Sequence, residues 1–201
     1  MKLFPVIADN WKMDGGVAFG VVPRTIWSRA HEADHNNMIR ITTRCLLIVS
    51  NGRKILIDAG LGDKRNEKYY AVRFREEGVS ILNSLQQLGF TANDITDVLF
   101  THLHDDHVGA ATRLDEKGNP VCVFGNAQYW VSEIHWQWAL KPNRCEKAAY
   151  FADNLEPLQQ SGRFHLLKEG EQPFENIILR TYNGHTRGQL IPFIQSNGNT
   201  I

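Results

Sequence analysis

The segment Phe100-Thr101-His102-Leu103-His104-Asp105-Asp106-His107 constrains this chain more than any other. It continues from Asp97 to Thr101, an apolar run that reads as a buried strand, so the histidines stand where a strand leaves its sheet. His102 and His104 are two apart on extended backbone; they project to one side and can share a metal ion. Asp106 and His107 fall on the turn that follows and can face a second ion. Imidazole and carboxylate are ligands suited to zinc and similar borderline ions. A solvated loop with chance histidines is the poorer reading, because three histidines and an aspartate at this spacing end a buried strand.

A second element has the same form. Asn183-Gly184-His185-Thr186-Arg187-Gly188-Gln189 follows an apolar strand at Ile177 to Tyr182, and its glycines permit a tight turn that presents His185 at the strand's end. Alone, His185 could be a satisfied structural residue. It gains weight because a three-histidine zinc site needs one more ligand from elsewhere in the chain.

The rest of the pattern describes the scaffold. Cys45 to Val49 and Lys54 to Ile57 flank Asn51-Gly52, a strong signal for a hairpin with a type I′ turn. Ile81, Leu82, Leu85 and Leu88 have helical spacing, with Gly89 placed to end the helix. Further strands are expected at 3–8, 121–124, 128–131, 164–167 and 190–194. Ser132 should cap a helix carrying Trp136 and Leu140, a second helix should cover Glu146 to Leu155, and Trp11 to Trp27 reads as loop. No repeat or linker divides the chain, so residues 1–201 read as one domain of the α+β, or layered α/β, class with mixed sheets.

Composition removes other classes. Lys and Arg number 22 and so do Asp and Glu, and no basic run is present, which argues against a nucleic-acid binder. No stretch approaches the ~20 apolar residues that span a bilayer. The N-terminus lacks the apolar core of a signal peptide, and three cysteines, Cys45, Cys122 and Cys145, suit a reduced, cytoplasmic setting and read as buried small residues. Trp130, Trp136 and Trp138 read as packing residues, His135 as structural or exposed, and His31 and His35 as loop residues. No Ser-His-Asp or Cys-His nucleophile pattern stands out.

Together, Leu56-Ile57-Asp58-Ala59-Gly60, Thr101 to His107 and Gly184 to Gln189 resemble the three ordered motifs of the metallo-β-lactamase superfamily of metal-dependent hydrolases, over roughly residues 40 to 195. Lys12 to Gly16 and Phe19 to Pro23 look more loosely like its lactonase and organophosphate-hydrolase side. The resemblance implies a four-layer αββα sandwich with a metal centre between strand ends. It implies that His102, His104 and His185 hold a first zinc, and that Asp106 and His107 supply part of a second. Asp58 would lie beneath, orienting the ligand loops by hydrogen bonding. Two zinc ions are expected in the complete protein, with manganese or iron as alternatives.

Two departures qualify the match. Gln189 replaces a histidine common in relatives, at a position that does not usually ligate. After His185 the sequence has no Asp, Glu, His or Cys, so the family's bridging aspartate and final histidine are missing. Ser196-Asn197-Gly198-Asn199 reads as a turn whose returning strand stops at Ile201, and both features predict that more chain follows. The resemblance implies a metal-held hydroxide attacking a lactone, ester or phosphotriester of a small-molecule substrate, with Asp106 orienting it and moving a proton. A homodimer is left open. The alternatives are a di-iron redox protein of the same fold, disfavoured by His104 where such proteins use a carboxylate, and an inert metal-binding module.

Overall fold

Successive side chains of the middle strands enter two different cores, and that alternation sets the layering of the molecule. The computed structural model describes residues 1–196 and 198–201. Its strands are β1 (Lys2–Asp14), β2 (Met38–Ser50), β3 (Arg53–Ile57), β4 (Asp97–Leu99), β5 (Thr112–Leu114), β6 (Pro120–Cys122), β7 (Gln128–Ser132), β8 (Phe164–Leu167), β9 (Ile177–Tyr182), β10 (Gln189–Ser196) and β11 (Asn199–Thr200). Its α-helices are α1 (Gly15–Phe19), α2 (Arg24–Trp27), α3 (Glu67–Ala71), α4 (Ile81–Gln87), α5 (Asp105–Val108), α6 (Glu133–Leu140) and α7 (Ala152–Gln160). A six-stranded mixed sheet runs β1-β2-β3-β4-β7-β8, and a second sheet runs β11-β10-β9.

Leu47, Leu56 and Val98 point to one side of the large sheet, where they meet Ile81 and Leu85 of α4, Trp136 of α6 and Leu158 of α7. Their neighbours Ile48, Ile55, Ile57 and Leu99 point to the other side, against Ile177, Leu179, Leu190 and Ile194 of the second sheet. The described residues thus form the helix, sheet and sheet layers of the expected sandwich, and the outward face of the second sheet shows Ile178 and Ile191, 42% and 40% exposed. β3, β4, β7 and β8 are parallel, so their carboxyl ends open on one edge, the usual place for a site in such sheets.

Local sequence explains most boundaries. Asn51 and Gly52 take φ of 48° and 76°, the turn that the Asn-Gly pair predicts between β2 and β3. Ser132 accepts the His135 N–H and caps α6 as expected. Two expectations need correction. Trp11 to Trp27 is not loop: β1 pairs with β2 as far as Asp14 opposite Met38, and the buried Trp11 indole donates to Thr43 Oγ1 at 3.0 Å. Asp14 then caps α1, and α2 ends on a buried Trp27 stacked 4.9 Å from Phe19. The helix expected from Glu146 to Leu155 is broken: a short 3-10 turn at Lys147–Ala149 gives way to extended Tyr150 and Phe151 before α7 begins. Tyr150 is drawn out there because its hydroxyl meets Thr186 Oγ1 at 3.0 Å.

The cysteines also differ from expectation, since only Cys45 is buried; Cys122 is half-buried and Cys145 exposed, all three being free thiols. Asn197, within the turn read at 196–199, lies outside the described residues, although Gln195 does pair with Thr200. Among the described residues no helix is long and apolar enough to cross a membrane.

The exit of β3 is locked from two sides. Asp9 of β1 accepts the Leu61 N–H at 2.8 Å and pairs with Arg75 at 2.6 Å. Burial pushes the Asp9 carboxyl up to about 6 even against that guanidinium. On the other side Ala59 N–H donates to His107 O at 2.7 Å and Ala110 N–H to Gly60 O at 2.9 Å. The backbones approach so closely at Gly109 that a Cβ there would lie 2.0 Å from Leu61 O. Gly109→Ala should therefore destabilise the protein by about 1–3 kcal/mol or more, read by urea unfolding of the metal-free form; wild-type stability would show that the two loops can part freely.

Candidate metal centre

The cleft is made by what each strand does as it ends. Asp58, directly after β3, has φ of 61°, a left-handed turn unusual for a non-glycine residue. Its Oδ1 accepts the Thr101 N–H and its Oδ2 accepts the Thr101 hydroxyl, both at 2.8 Å. Oδ2 also lies 2.8 Å from His107 Nδ1. Thr101 has one hydroxyl proton and gives it to Asp58, so its oxygen must accept from His102 Nδ1–H at 2.9 Å. That chain of bonds fixes the His102 tautomer and leaves a lone pair on Nε2. The Nε2 atom is buried and has no hydrogen-bond partner.

Four imidazoles converge here. The His102 ring centroid lies 3.9 Å from His107, 4.6 Å from His104 and 4.9 Å from His185. His104 Nδ1 faces His185 Nε2 at 3.1 Å. One nitrogen from each of His102, His104 and His185 lies within 4.8 Å of the other two. Tetrahedral zinc with bonds of ~2.0–2.1 Å sets its nitrogens roughly 3.3 Å apart, so this triangle, with its orphaned buried lone pair, fits one such ion. Asp106 stands beside it, with Oδ2 3.5 Å from His107 Nε2.

Electrostatics follow from burial and neighbours. Burial holds His102 and His104 below the usual imidazole range, and the crowding of imidazoles adds to it. Burial would depress His107 too, but the Asp58 carboxylate and the nearby Asp106 and Asp105 outweigh it and carry His107 up to about 9. Burial and the Asp106 charge push Asp105 up to about 7.

All of the expected ligand residues are thus brought together, with Asp58 beneath them. Other candidates lie elsewhere. His31 packs on Phe19 with centroids 5.0 Å apart, Trp130 stacks on His165 between the sheets, and Trp136 packs on Phe164. Two residues without a motif matter more than their sequence suggests. His135, fully buried, accepts the Leu103 N–H on Nε2 at 2.8 Å and presents Nδ1–H to Arg187 O at 2.7 Å. It thereby ties the loop of His102 and His104 to the loop of His185. Glu146 faces His104 from behind and accepts the Thr186 hydroxyl at 2.6 Å. Nothing in its surroundings in the sequence marks Glu146, while the one sign of His135 is its place three residues after the Ser132 cap.

The comparisons agree with this architecture. A family model described as the metallo-beta-lactamase superfamily matches residues 40–123. A Staphylococcus aureus protein described as a probable metal-dependent hydrolase is similar at 32% identity and a TM-score of 0.88, over 99% of this chain and 70% of that one. Two more distant structures share the fold at a TM-score of 0.77, each over 98% of this chain and 68% of theirs. One is AidC, a dizinc quorum-quenching lactonase in complex with a product, at 23% identity, and the other is the hydrolase AbOPH, of the beta lactamase superfamily, at 20%. No curated protein sequence matches the chain.

His135 gives a pH test. Burial lowers its pKa to about 4 from the ordinary 6.5, in keeping with one neutral tautomer bonded at both nitrogens. Between those values the unfolded chain binds the proton and the folded one does not, so stability is lost as pH falls from 6.5 towards 4. His135→Gln cannot titrate. The wild type's advantage over this variant in unfolding free energy should therefore grow as pH rises through that window, by about 3 kcal/mol at most, and then level. A pH-independent difference would remove the buried neutral assignment.

Proposed function

The chain belongs to the metallo-beta-lactamase superfamily, and on that premise we propose that its four-histidine cleft is the metal centre of a metal-dependent hydrolase. The observation that carries the reading is the buried, unpartnered Nε2 of His102, held beside His104 Nδ1 and His185 Nε2. A nitrogen buried without a partner is costly, and a metal ion in this triangle relieves that cost at His102 Nε2. His102, His104 and His185 would hold a first zinc, and Asp106 and His107 would supply part of the shell of a second.

Zinc bound there would supply a Lewis acid and lower the pKa of water to ~7. The protein's own groups do the rest. Asp58 orients His107 and, through Thr101, sets the tautomer of His102, so two imidazoles arrive already aimed. Asp106 orients the attacking water and carries its proton to the leaving group. The substrate we favour is a lactone or ester, with phosphotriesters next; the fold shared with AidC, a lactonase, supports trying the lactone first.

The test is elemental analysis joined to hydrolysis assays on a lactone, an aryl ester and an aryl phosphotriester. The wild type should contain zinc and cleave at least one of the three. His102→Ala should lose most of its metal and lower hydrolysis by at least ~100-fold, since even the partners of ligands cost 10–100-fold. Unchanged metal occupancy in that variant overturns the ligand assignment, and two irons in a wild type that cleaves none of the three substrates overturn the hydrolytic reading.

A further inference from the structure

We propose that Glu146 is a positioning residue for the cleft: it is the acceptor that keeps the His104 proton on Nε2, so that Nδ1 is left free to face the metal, and it holds the His185 loop through Thr186. The inference rests on the metal-centre reading above and adds to it a residue that no motif marks.

Two neighbouring geometries carry it. His104 Nδ1 points at His185 Nε2, 3.1 Å away, so Nδ1 is the nitrogen turned towards the ligand triangle. Its other nitrogen, Nε2, is buried without a hydrogen bond, and Glu146 Oε2 stands 3.5 Å from it. An imidazole that offers Nδ1 to an ion must carry its proton on Nε2. That N–H then needs an acceptor, and a shift of a few tenths of an ångström closes the bond to Glu146.

Glu146 is itself held in place for this. Asn143 Oδ1 accepts its backbone N–H at 2.9 Å, and Asn143 Nδ2 donates to Oε1 at 3.2 Å. Oε2 accepts the Thr186 hydroxyl at 2.6 Å, the Trp138 indole N–H at 3.1 Å and faces the Tyr150 hydroxyl at 3.2 Å. Thr186 is buried and adjacent in sequence to His185, so one carboxylate oxygen serves two of the three imidazoles of the triangle. The break between the 3-10 turn and α7 also lets Tyr150 pack 5.0 Å from the His104 ring and join the same cluster.

A staple between two loops would look similar, so the test separates charge from shape. Glu146→Gln keeps an oxygen for Thr186, Trp138 and Tyr150 but removes the negative charge that favours the His104 Nε2–H form. Glu146→Ala removes both. Zinc affinity is measured by competition with a chromophoric chelator, and the His104 tautomer by long-range proton–nitrogen spectra of metal-free protein, well above the ordinary histidine pKa. The expected result is a 10–100-fold loss of zinc affinity in Glu146→Ala, a smaller loss in Glu146→Gln, and a shift of His104 from the Nε2–H tautomer towards a mixture in both. Thermal melting of the metal-free Gln variant is recorded alongside, so that the zinc and tautomer results are read apart from any loss of stability caused by weaker, uncharged hydrogen bonds. Should Glu146→Ala fail to fold, the Gln variant decides. Equal zinc affinity and an unchanged tautomer in Glu146→Gln overturn the proposal and leave a staple. If the wild type takes up no zinc, the metal-centre reading falls, and the tautomer spectra still decide whether Glu146 sets His104.

Discussion

Asp58 is the residue on which the cleft depends. Its left-handed backbone costs about 1–3 kcal/mol in an ordinary setting. The compensation is immediate, since one carboxylate collects the Thr101 N–H, the Thr101 hydroxyl and His107. The kink turns the side chain of one strand's exit onto the exit of its neighbour, and the His102 tautomer follows through Thr101. Without that turn the histidines would share a segment of sequence but have no common orientation.

The remaining supports are lateral. Asp9 pins the Asp58 loop from β1, Gly109 lets the next loop pack flush against it, and His135 joins the second and third motifs. Each bond runs across strands and not along one, which is what four parallel strand ends opening on one edge allow. Two apolar cores on opposite faces of the large sheet hold that edge steady from below. The polar site can therefore carry strained backbone and crowded imidazoles on a frame that those cores hold.

The sequence was most legible where chemistry and periodicity coincide. The run from Asp97 to His107, the Asn51-Gly52 turn and the Ser132 cap each have a local physical signature; the turn and the cap take the expected form, while the strand ends at Leu99 and Asp105–Val108 close one helical turn. The failures share a different cause. β1 extends to Asp14 because β2 lies alongside it, and the helix expected at 146–155 breaks because Tyr150 is pulled towards Thr186. Glu146 and His135 stay invisible for the same reason, since their partners lie 40 and 52 residues away. Propensity cannot see a tertiary partner that overrides it.

Distance along the chain also gives the cleft a schedule. His104 and His185, in contact in the folded protein, are separated by 81 residues. Translation at ~5–20 residues per second puts roughly 4–16 s between their emergence. During that interval His102, His104 and His107 are already synthesised while the strand that brings His185 is not, and the hairpin of β2 and β3 can close long before the cleft does. The nascent chain thus passes through a stage in which its most polar cluster is assembled on one side only.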